Sequence, residues 1–375
     1  MRIVFISNVI TPHQIPLCDE LSVLSNVDFY FLESVNIDKN TLPIGWRVSC
    51  NRNYIITYDQ LTASLNEYKE FIDRAEVVVF GSGDINLIKG RLAADKLTFI
   101  YSERIYKNCR ESLKYPYHLF KFGRLYGRSK NIYLLCASAF SAKDYNRLGL
   151  FYNKSFKWGY FTRIATSVDA VISQRSEDEK VRILWCARFI VFKHPELAVK
   201  LARILKNDGY NFHLDMIGNG DQFIRIKQMI DKYEVSDVVS LLGSLSNEDV
   251  YSQMRSHDIF IFTSDQNEGW GAVSNEAMSN GCVLVGSDQI GSIPYLVKDG
   301  ENGMIFKSGN LKSLYEKVKY LIENPTKRKE ISKKGVETIL QLWSPRNAAE
   351  TFHFLITELL NHREPFILEG PCSKA

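Results

Sequence analysis

No stretch of this 375-residue chain approaches the ~20 consecutive apolar residues that a bilayer-spanning helix requires. No Cys-x-x-Cys is present, and the seven cysteines (18, 50, 109, 136, 186, 282 and 372) are odd in number and widely spaced. They read as buried thiols in a reducing compartment, with neither a disulfide framework nor a zinc knuckle. The histidines at 13, 118, 194, 213, 257, 353 and 362 lack metal-ligand spacing, so no metal is expected. No Gly-Lys-Ser/Thr phosphate loop occurs. Gly81-Ser-Gly83 and Gly218-Asn-Gly220 both lack the third glycine of a dinucleotide fingerprint, which argues against a dehydrogenase. Strong charge of one sign is missing too. The net charge is +4, and no nucleic-acid signature accompanies it. The first residues, Met1-Arg-Ile-Val-Phe-Ile-Ser7, read directly as a strand without a cationic lead or cleavage site. The expectation is a cytoplasmic protein whose membrane contact, if any, is peripheral.

What is present is the composition of an ordinary globular protein, 45% apolar and 24% charged. Apolar runs alternate with helical patterns. Strands are expected at 3–7, 27–32, 77–80, 97–101 and 132–136, then at 182–186, 212–217, 238–242, 259–262 and 283–286. A helix over 60–74 lies within the first series. Strands alternating with helices imply parallel sheets in α/β layers, and two series imply two Rossmann-like domains. The polar, charged segment 167–180 separates them as a linker. Helices at 311–323, 327–342 and 346–360 close the chain, with Pro325 and Pro345 at first-turn positions where a missing amide hydrogen costs least. The tail after Arg363 is expected to fray.

The segment Glu268-Gly-Trp-Gly-Ala-Val-Ser-Asn-Glu276 is the most informative stretch. A buried strand precedes it and a helix over 272–280 follows. Unpartnered amides at a helix start suit a phosphate, and Gly269 and Gly271 let the backbone approach it. Two carboxylates flanking that point could grip hydroxyls on either side of a diphosphate. Arg188 and Lys193 follow an apolar strand, at the end where open α/β sheets bind ligands. A guanidinium and an ammonium there can neutralise a leaving diphosphate. In the first half, Ser7-Asn-Val-Ile-Thr-Pro-His13 and Tyr101-Ser-Glu103-Arg104 also end strands. Asn8, Thr11 and His13 either face an acceptor or, with Thr11 before Pro12, merely cap a helix. Glu103 faces the same space or forms a structural ion pair. Residues 114–130 interleave aromatics with cations and contain no acid. They suit the headgroup layer of an anionic membrane, or else a packed helix whose cations snorkel.

Glu268 and Glu276 resemble the Glu-x7-Glu motif of the retaining glycosyltransferases of family 4, which have the GT-B fold. Cys186-Ala-Arg188 through Lys193 resembles that family's Arg and Lys pair. Met216-Ile-Gly218-Asn-Gly220 is similar to its glycine turn, and Leu242-Gly243-Ser244-Leu245-Ser246 to its loop beside the nucleotide base. Asp299-Gly-Glu-Asn-Gly303-Met-Ile-Phe306 matches a late segment of the same domain. The five segments run in order from about 181 to 306. Three departures stand out. The first loop has no glycine, Glu103 or Arg104 stands where relatives often carry a histidine, and His194 stands where a small residue is usual. No Asp-x-Asp of the metal-dependent GT-A transferases occurs.

The resemblance implies two Rossmann-like domains facing across a cleft. Residues 1–166 would bind the acceptor and 181–344 the donor, with the last helix, within 345–375, returning to the first domain. It implies a hexosyltransferase taking a sugar from a uridine-based nucleotide diphosphate to a surface polysaccharide or lipid-linked glycan, with no cofactor. Arg188, Lys193 and Glu268 would serve catalysis. Glu276 would hold the ribose. Gly218, Gly243, Ser244, Leu245, Gly269, Trp270, Gly271 and Ala272 would complete the donor site, and Asn8, Thr11, His13 and Glu103 would lie on the acceptor side. Two rivals share the fold: a sugar-nucleotide 2-epimerase and a non-catalytic partner subunit.

Overall fold

The computed structural model describes residues 1–37, 52–164, 167–172 and 180–375. The chain forms two compact units. One comprises Met1–Arg163 with Trp343–Ala375, the other Ile164–Leu342. Residues 173–179, half of the segment 167–180 expected as a linker, lie outside the described residues.

The first unit holds a seven-stranded sheet. Its strands are β1 (Arg2–Ser7), β2 (Asp28–Glu33), β3 (Ile55–Ile56), β4 (Val77–Phe80), β5 (Thr98–Ser102), β6 (Ile132–Cys136) and β7 (Ser155–Lys157), in the order β3-β2-β1-β4-β5-β6-β7. The second unit holds β8 (Val181–Cys186), β9 (Phe212–Ile217), β10 (Val239–Gly243), β11 (Ile259–Phe262), β12 (Val283–Ser287) and β13 (Met304–Phe306), in the order β10-β9-β8-β11-β12-β13. Neighbouring strands pair in parallel throughout. Parallel strands are covered by helices on both faces, so their apolar runs are continuous rather than alternating. All four residues of Val77–Phe80 and of Ile259–Phe262 are buried accordingly.

Three strands escape the sequence pattern. β3, β7 and β13 have two or three residues each and are edge strands, so they never build a long apolar run. The helix expected over 60–74 is two helices, Tyr58–Ala63 and Leu65–Arg74. Thr57 and Gln60 close a capping box on the first, and Ser64 breaks the pair in a non-helical conformation. The helix expected over 327–342 runs from Pro325 to Glu337 and continues as a π-helical turn, Thr338–Leu342.

The last helix, Pro345–Leu360, packs on helix Ile15–Val23 of the first unit. Its Phe352 is fully buried, with its ring 5.2–5.8 Å from those of Phe5, Phe99 and Trp158. Burial of one such side chain contributes about 1.5–3 kcal/mol. The tail corrects an expectation, because it is not frayed. Cys372 donates its amide to Lys157 O, Lys157 donates to Ser373 O and Ala375 donates to Ser155 O. An antiparallel bridge joins Phe156 to Lys374. The tail thereby covers β7, whose open edge would otherwise expose unpaired backbone groups.

Candidate functional site

In the second unit the strand order reverses between β8 and β11. Successive crossovers run outward from that point in opposite directions, which opens a crevice at the carboxyl ends of these two strands. The loops that follow them carry Arg188 and Lys193 on one side and Glu268 on the other. Lys193 Nζ donates to a Glu268 carboxylate oxygen, and both side chains are largely buried, 13% and 12% exposed. The ammonium also lies 5.2 and 5.5 Å from the ring centroids of Phe192 and Phe262. Arg188 is exposed on the same loop.

Hydrogen bonds that sequence reasoning missed lace the two loops together. Trp185 Nε1 donates to Thr263 Oγ1 at 2.9 Å, and that hydroxyl donates to Lys193 O at 2.6 Å. The Asp265 amide donates to Phe192 O. His194, at φ 49° in the left-handed region, bonds Glu196 Oε1 through Nδ1 (2.8 Å) and Asp265 Oδ2 through Nε2 (3.1 Å). The Glu196 bond, against the opposing effect of burial, and then the Asp265 bond raise the His194 pKa above 6.5. Burial pushes Glu196 up, but its bonds from His194 and its own amide bring it below the ordinary carboxylate value.

Glycine is required where these loops meet their neighbours. Gly218 has φ 129°, and a Cβ there would lie 2.0 Å from Ala187 O. Gly218 donates to Gly243 O, Phe189 donates to Asn219 O, and Gln222 donates to Phe189 O. The loops after β8, β9 and β10 thus touch backbone to backbone. Gly271 has φ 79° and would drive a Cβ into the Phe262 ring.

Glu276 lies on the helix Val273–Ser279, half-buried, and accepts from Tyr251 Oη at 3.1 Å. Burial and then the nearby Glu276 charge push the Cys186 thiol up to about 12, which places this carboxylate beside the end of β8. Gly269 and Trp270 carbonyls accept from the amides of Gly291 and Ser292. Trp270 is fully buried, its indole N–H donating to Asn275 Oδ1 at 2.8 Å. Its side chain packs inward and holds the loop. Ala272 precedes the helix, Gly243 adopts φ 69°, Ser244 is exposed and Leu245 is half-buried.

The first unit has a switch point of its own, between β1 and β4. A cavity of about 390 Å³ lies there, and Asn8, Thr11, His13 and Glu103 all line it. Thr11 caps no helix, since helix Ile15–Val23 begins later, after Gln14. Its amide and hydroxyl both donate to Gln14 Oε1 at 3.1 Å. Glu103 is both ion-paired and lining: Lys107 Nζ lies 2.9 Å from one oxygen, and Tyr160 Oη donates to the other at 2.8 Å. Arg104 stacks instead on Phe140, 4.4 Å from the ring centroid. Sequence reasoning missed Ser82, whose hydroxyl bonds Asn8 Oδ1, and Tyr160. The discarded Gly81-Ser-Gly83 triplet ends β4, and that position was the available signal.

Within 114–130, helix Tyr115–Tyr126 packs His118, Phe122, Leu125 and Tyr126 on the core of the first unit. Tyr117 and Phe120 stand out at 59% and 71% exposure, and Leu113, which ends the preceding helix, at 81%. Among the described residues no helix is long and apolar enough to cross a membrane.

Residues 170–338 match the family described as Glycosyl transferases group 1. The chain is 28% identical over 194 residues, 52% of its length, to a poly(glycerol-phosphate) alpha-glucosyltransferase of Bacillus subtilis, and 30% identical over 141 residues, 36% of its length, to an amylovoran biosynthesis glycosyltransferase of Erwinia amylovora. These matches span 28% and 34% of the relatives' own lengths, about a third. Solved structures share the fold over 96% of this chain and the whole of theirs. They include Anabaena HepE in complex with UDP (TM-score 0.69, 15% identity) and the apo form of the lipopolysaccharide outer core galactosyltransferase WaaB (TM-score 0.71, 14% identity). The two parallel-sheet Rossmann-like units thus have the GT-B fold, and residues 170–338 are similar to the glycosyl transferases group 1 family.

Proposed function

We propose that this protein is a retaining glycosyltransferase of the family 4 type. It moves a sugar from a nucleotide diphosphate, a UDP-sugar, onto a polysaccharide or lipid-linked glycan. The observation that carries this reading is the Lys193–Glu268 pair, built at the second unit's switch point from loops 75 residues apart. Glu268 holds and aims the Lys193 side chain in a mostly buried place. A donor diphosphate beside it meets a fixed ammonium, with the Arg188 guanidinium on the same loop. Charge on the diphosphate grows as the glycosidic bond breaks, so these cations act mainly on the transition state. They are the chain's own side chains, and the transfer runs without a metal. Glu276 holds the ribose hydroxyls, and the acceptor hydroxyl attacks the face from which the diphosphate leaves. The UDP held by HepE and the alpha-glucosyl transfer named for the Bacillus subtilis relative support the choice of donor. A panel of nucleotide sugars is assayed by slow hydrolysis, and the released sugar is followed by NMR. Retained configuration is expected. Inverted product, or epimerised donor without acceptor, overturns the reading.

We propose further that helix Tyr115–Tyr126 docks the first unit on an anionic lipid surface at the cytoplasmic face of the membrane. It exposes Tyr117, Phe120, Lys121 and Arg124, and Leu113, Lys114 and Arg128 are exposed just beyond its ends. Each basic residue near such a surface is worth about 1 kcal/mol, screened by salt. Replacing those four cations with Gln is expected to abolish binding to anionic vesicles at low salt and to leave donor hydrolysis intact. Wild-type protein that ignores such vesicles overturns the docking.

A further inference from the structure

We infer that Tyr251 is a positioning residue for the donor nucleotide: its hydroxyl holds the Glu276 carboxylate in place and so sets how sharply the second unit tells a ribonucleotide from its deoxy form. This deepens the ribose reading of Glu276 given above and rests on it.

The contact joins two helices of the second unit. Helix Asn247–Ser256 carries Tyr251, and helix Val273–Ser279 carries Glu276. Tyr251 Oη donates to Glu276 Oε1 at 3.1 Å, and both side chains are half-buried. One turn further on, Arg255 Nη1 donates to Asn280 Oδ1 at 3.2 Å. Residues four apart lie on one face of a helix, so 251 and 255 meet 276 and 280 as two rungs of one ladder. Asn280 follows the end of its helix and folds back on it, its Nδ2 donating to Glu276 O at 2.9 Å.

The helix that carries Tyr251 is itself fixed at both ends. Ser246 caps its start: the hydroxyl accepts from the Asp249 amide at 3.2 Å and donates to Asp249 Oδ2 at 2.7 Å. At the other end His257 is buried and bonds Gln253 O at 2.6 Å and Asp215 Oδ2, on β9, at 2.9 Å. The Tyr251 hydroxyl is therefore presented from an anchored helix.

A glutamate carboxylate turns about several bonds and loses that freedom when it takes a hydroxyl. The Tyr251 bond removes part of it before a nucleotide arrives, so more of the interaction reaches the measured affinity. This bond comes from a neutral hydroxyl and fixes direction without cancelling the carboxylate's charge. Direction also sharpens rejection. A carboxylate held toward a sugar hydroxyl is left short of a donor when that hydroxyl is missing, whereas a mobile one swings to water. Glu268 shows the other arrangement, since it accepts from the Lys193 ammonium.

The test is calorimetry on the full chain. Ribose is common to nucleoside diphosphates, so UDP, GDP and ADP are each set against the 2′-deoxy form, and the affinity ratio of the pair that binds is the readout. Wild-type protein is expected to favour the ribonucleotide by roughly tenfold or more. Tyr251→Phe keeps the ring and loses the hydroxyl. It should lower that ratio by roughly threefold or more while the deoxy form binds nearly as before. Because a ratio is read, a general loss of affinity from a loosened fold cancels. Arg255→Met cuts the other rung without touching the carboxylate and should leave the ratio as it is. Glu276→Gln should lose most of it. A Tyr251→Phe ratio equal to that of the wild type overturns the proposal. So does an equal fall in Arg255→Met, which would make the effect one of helix packing. If Glu276→Gln loses the ratio and Tyr251→Phe does not, the ribose reading of Glu276 stands without Tyr251. A wild-type protein that does not discriminate, a ratio that Glu276→Gln leaves unchanged, or binding of none of the nucleotides overturns the ribose reading and this proposal together.

Discussion

The two switch-point crevices are built by one topology and furnished differently. In each unit the loops at the carboxyl ends of two adjacent central strands, β1 and β4 or β8 and β11, surround a recess. The loop after β1 contains no glycine, and its cavity is lined by hydroxyls, amides and rings. The loops after β8, β9 and β11 carry Arg188, Lys193, Glu268 and glycines at positive φ that bring backbone to backbone. Parallel-sheet architecture supplies the place. Side-chain charge and glycine placement supply the ligand class. Fold alone would not tell the two recesses apart.

Four measurements break or sharpen this contrast. The largest effect is expected from Lys193→Ala, which removes the buried cation of the second crevice. Turnover should fall by roughly 10² or more, with a smaller effect on donor binding. Near-normal turnover with only a raised Michaelis constant would mean that the pair binds ground and transition states alike.

Glu276→Ala is the next largest. Loss of a charged hydrogen-bond partner should weaken the free nucleoside diphosphate as well as the whole donor, by roughly 1.5–3 kcal/mol. Calorimetry showing unchanged nucleotide affinity removes Glu276 from the ribose.

Gly218→Ala addresses the backbone rather than charge. The new Cβ would collide with Ala187 O at a φ that other residues rarely adopt. A stability loss of about 1–3 kcal/mol is expected by thermal or denaturant unfolding. An unchanged midpoint would show that this loop yields and that the close approach is not required.

The smallest effect concerns pH. The His194 pKa is raised in the folded chain, so its contribution to stability is complete below 6.5 and is lost as pH rises through the raised value. Glu196 is lowered, so its contribution is complete above 4.5 and is lost as pH falls through the lowered value. The clasp is therefore fully formed between these two ordinary values. Unfolding midpoints of wild type and His194→Gln should diverge most between pH 4.5 and 6.5 and converge above it. Parallel profiles would show that the imidazolium is not what ties the loops.

Alternating apolar runs were enough to read the α/β class, and ten of the strands stand in that pattern. The strands it missed, β3, β7 and β13, are two or three residues long and stand at the ends of their sheet orders. The segment Glu268 to Glu276 and the pair Arg188 and Lys193 were legible because each follows an apolar strand, where such a sheet opens to ligands. Trp270 shows the limit of that reading. It sits in the same glycine-bearing segment, yet packing turns its ring inward, and sequence spacing carries no information about which way a loop residue faces. His194 shows another limit: in sequence it stood only as a departure from a family pattern, whereas in three dimensions it bridges Glu196 and Asp265.

The sequence by itself determined the alternation of strands and helices, the capping and proline signals at helix starts, and the charge inventory of each loop. Those properties depend on neighbours along the chain, and local propensity and hydrophobic period express them directly. Only the tertiary structure decided that Lys193 meets Glu268, that Tyr160 orients Glu103, and that the tail binds β7 instead of fraying. Each of these joins residues far apart in sequence, 57 for Tyr160 and Glu103 and 75 for Lys193 and Glu268. Such a contact forms only once the sheet order has brought two loops to the same edge, and strand order is settled by packing of the whole unit rather than by any one segment.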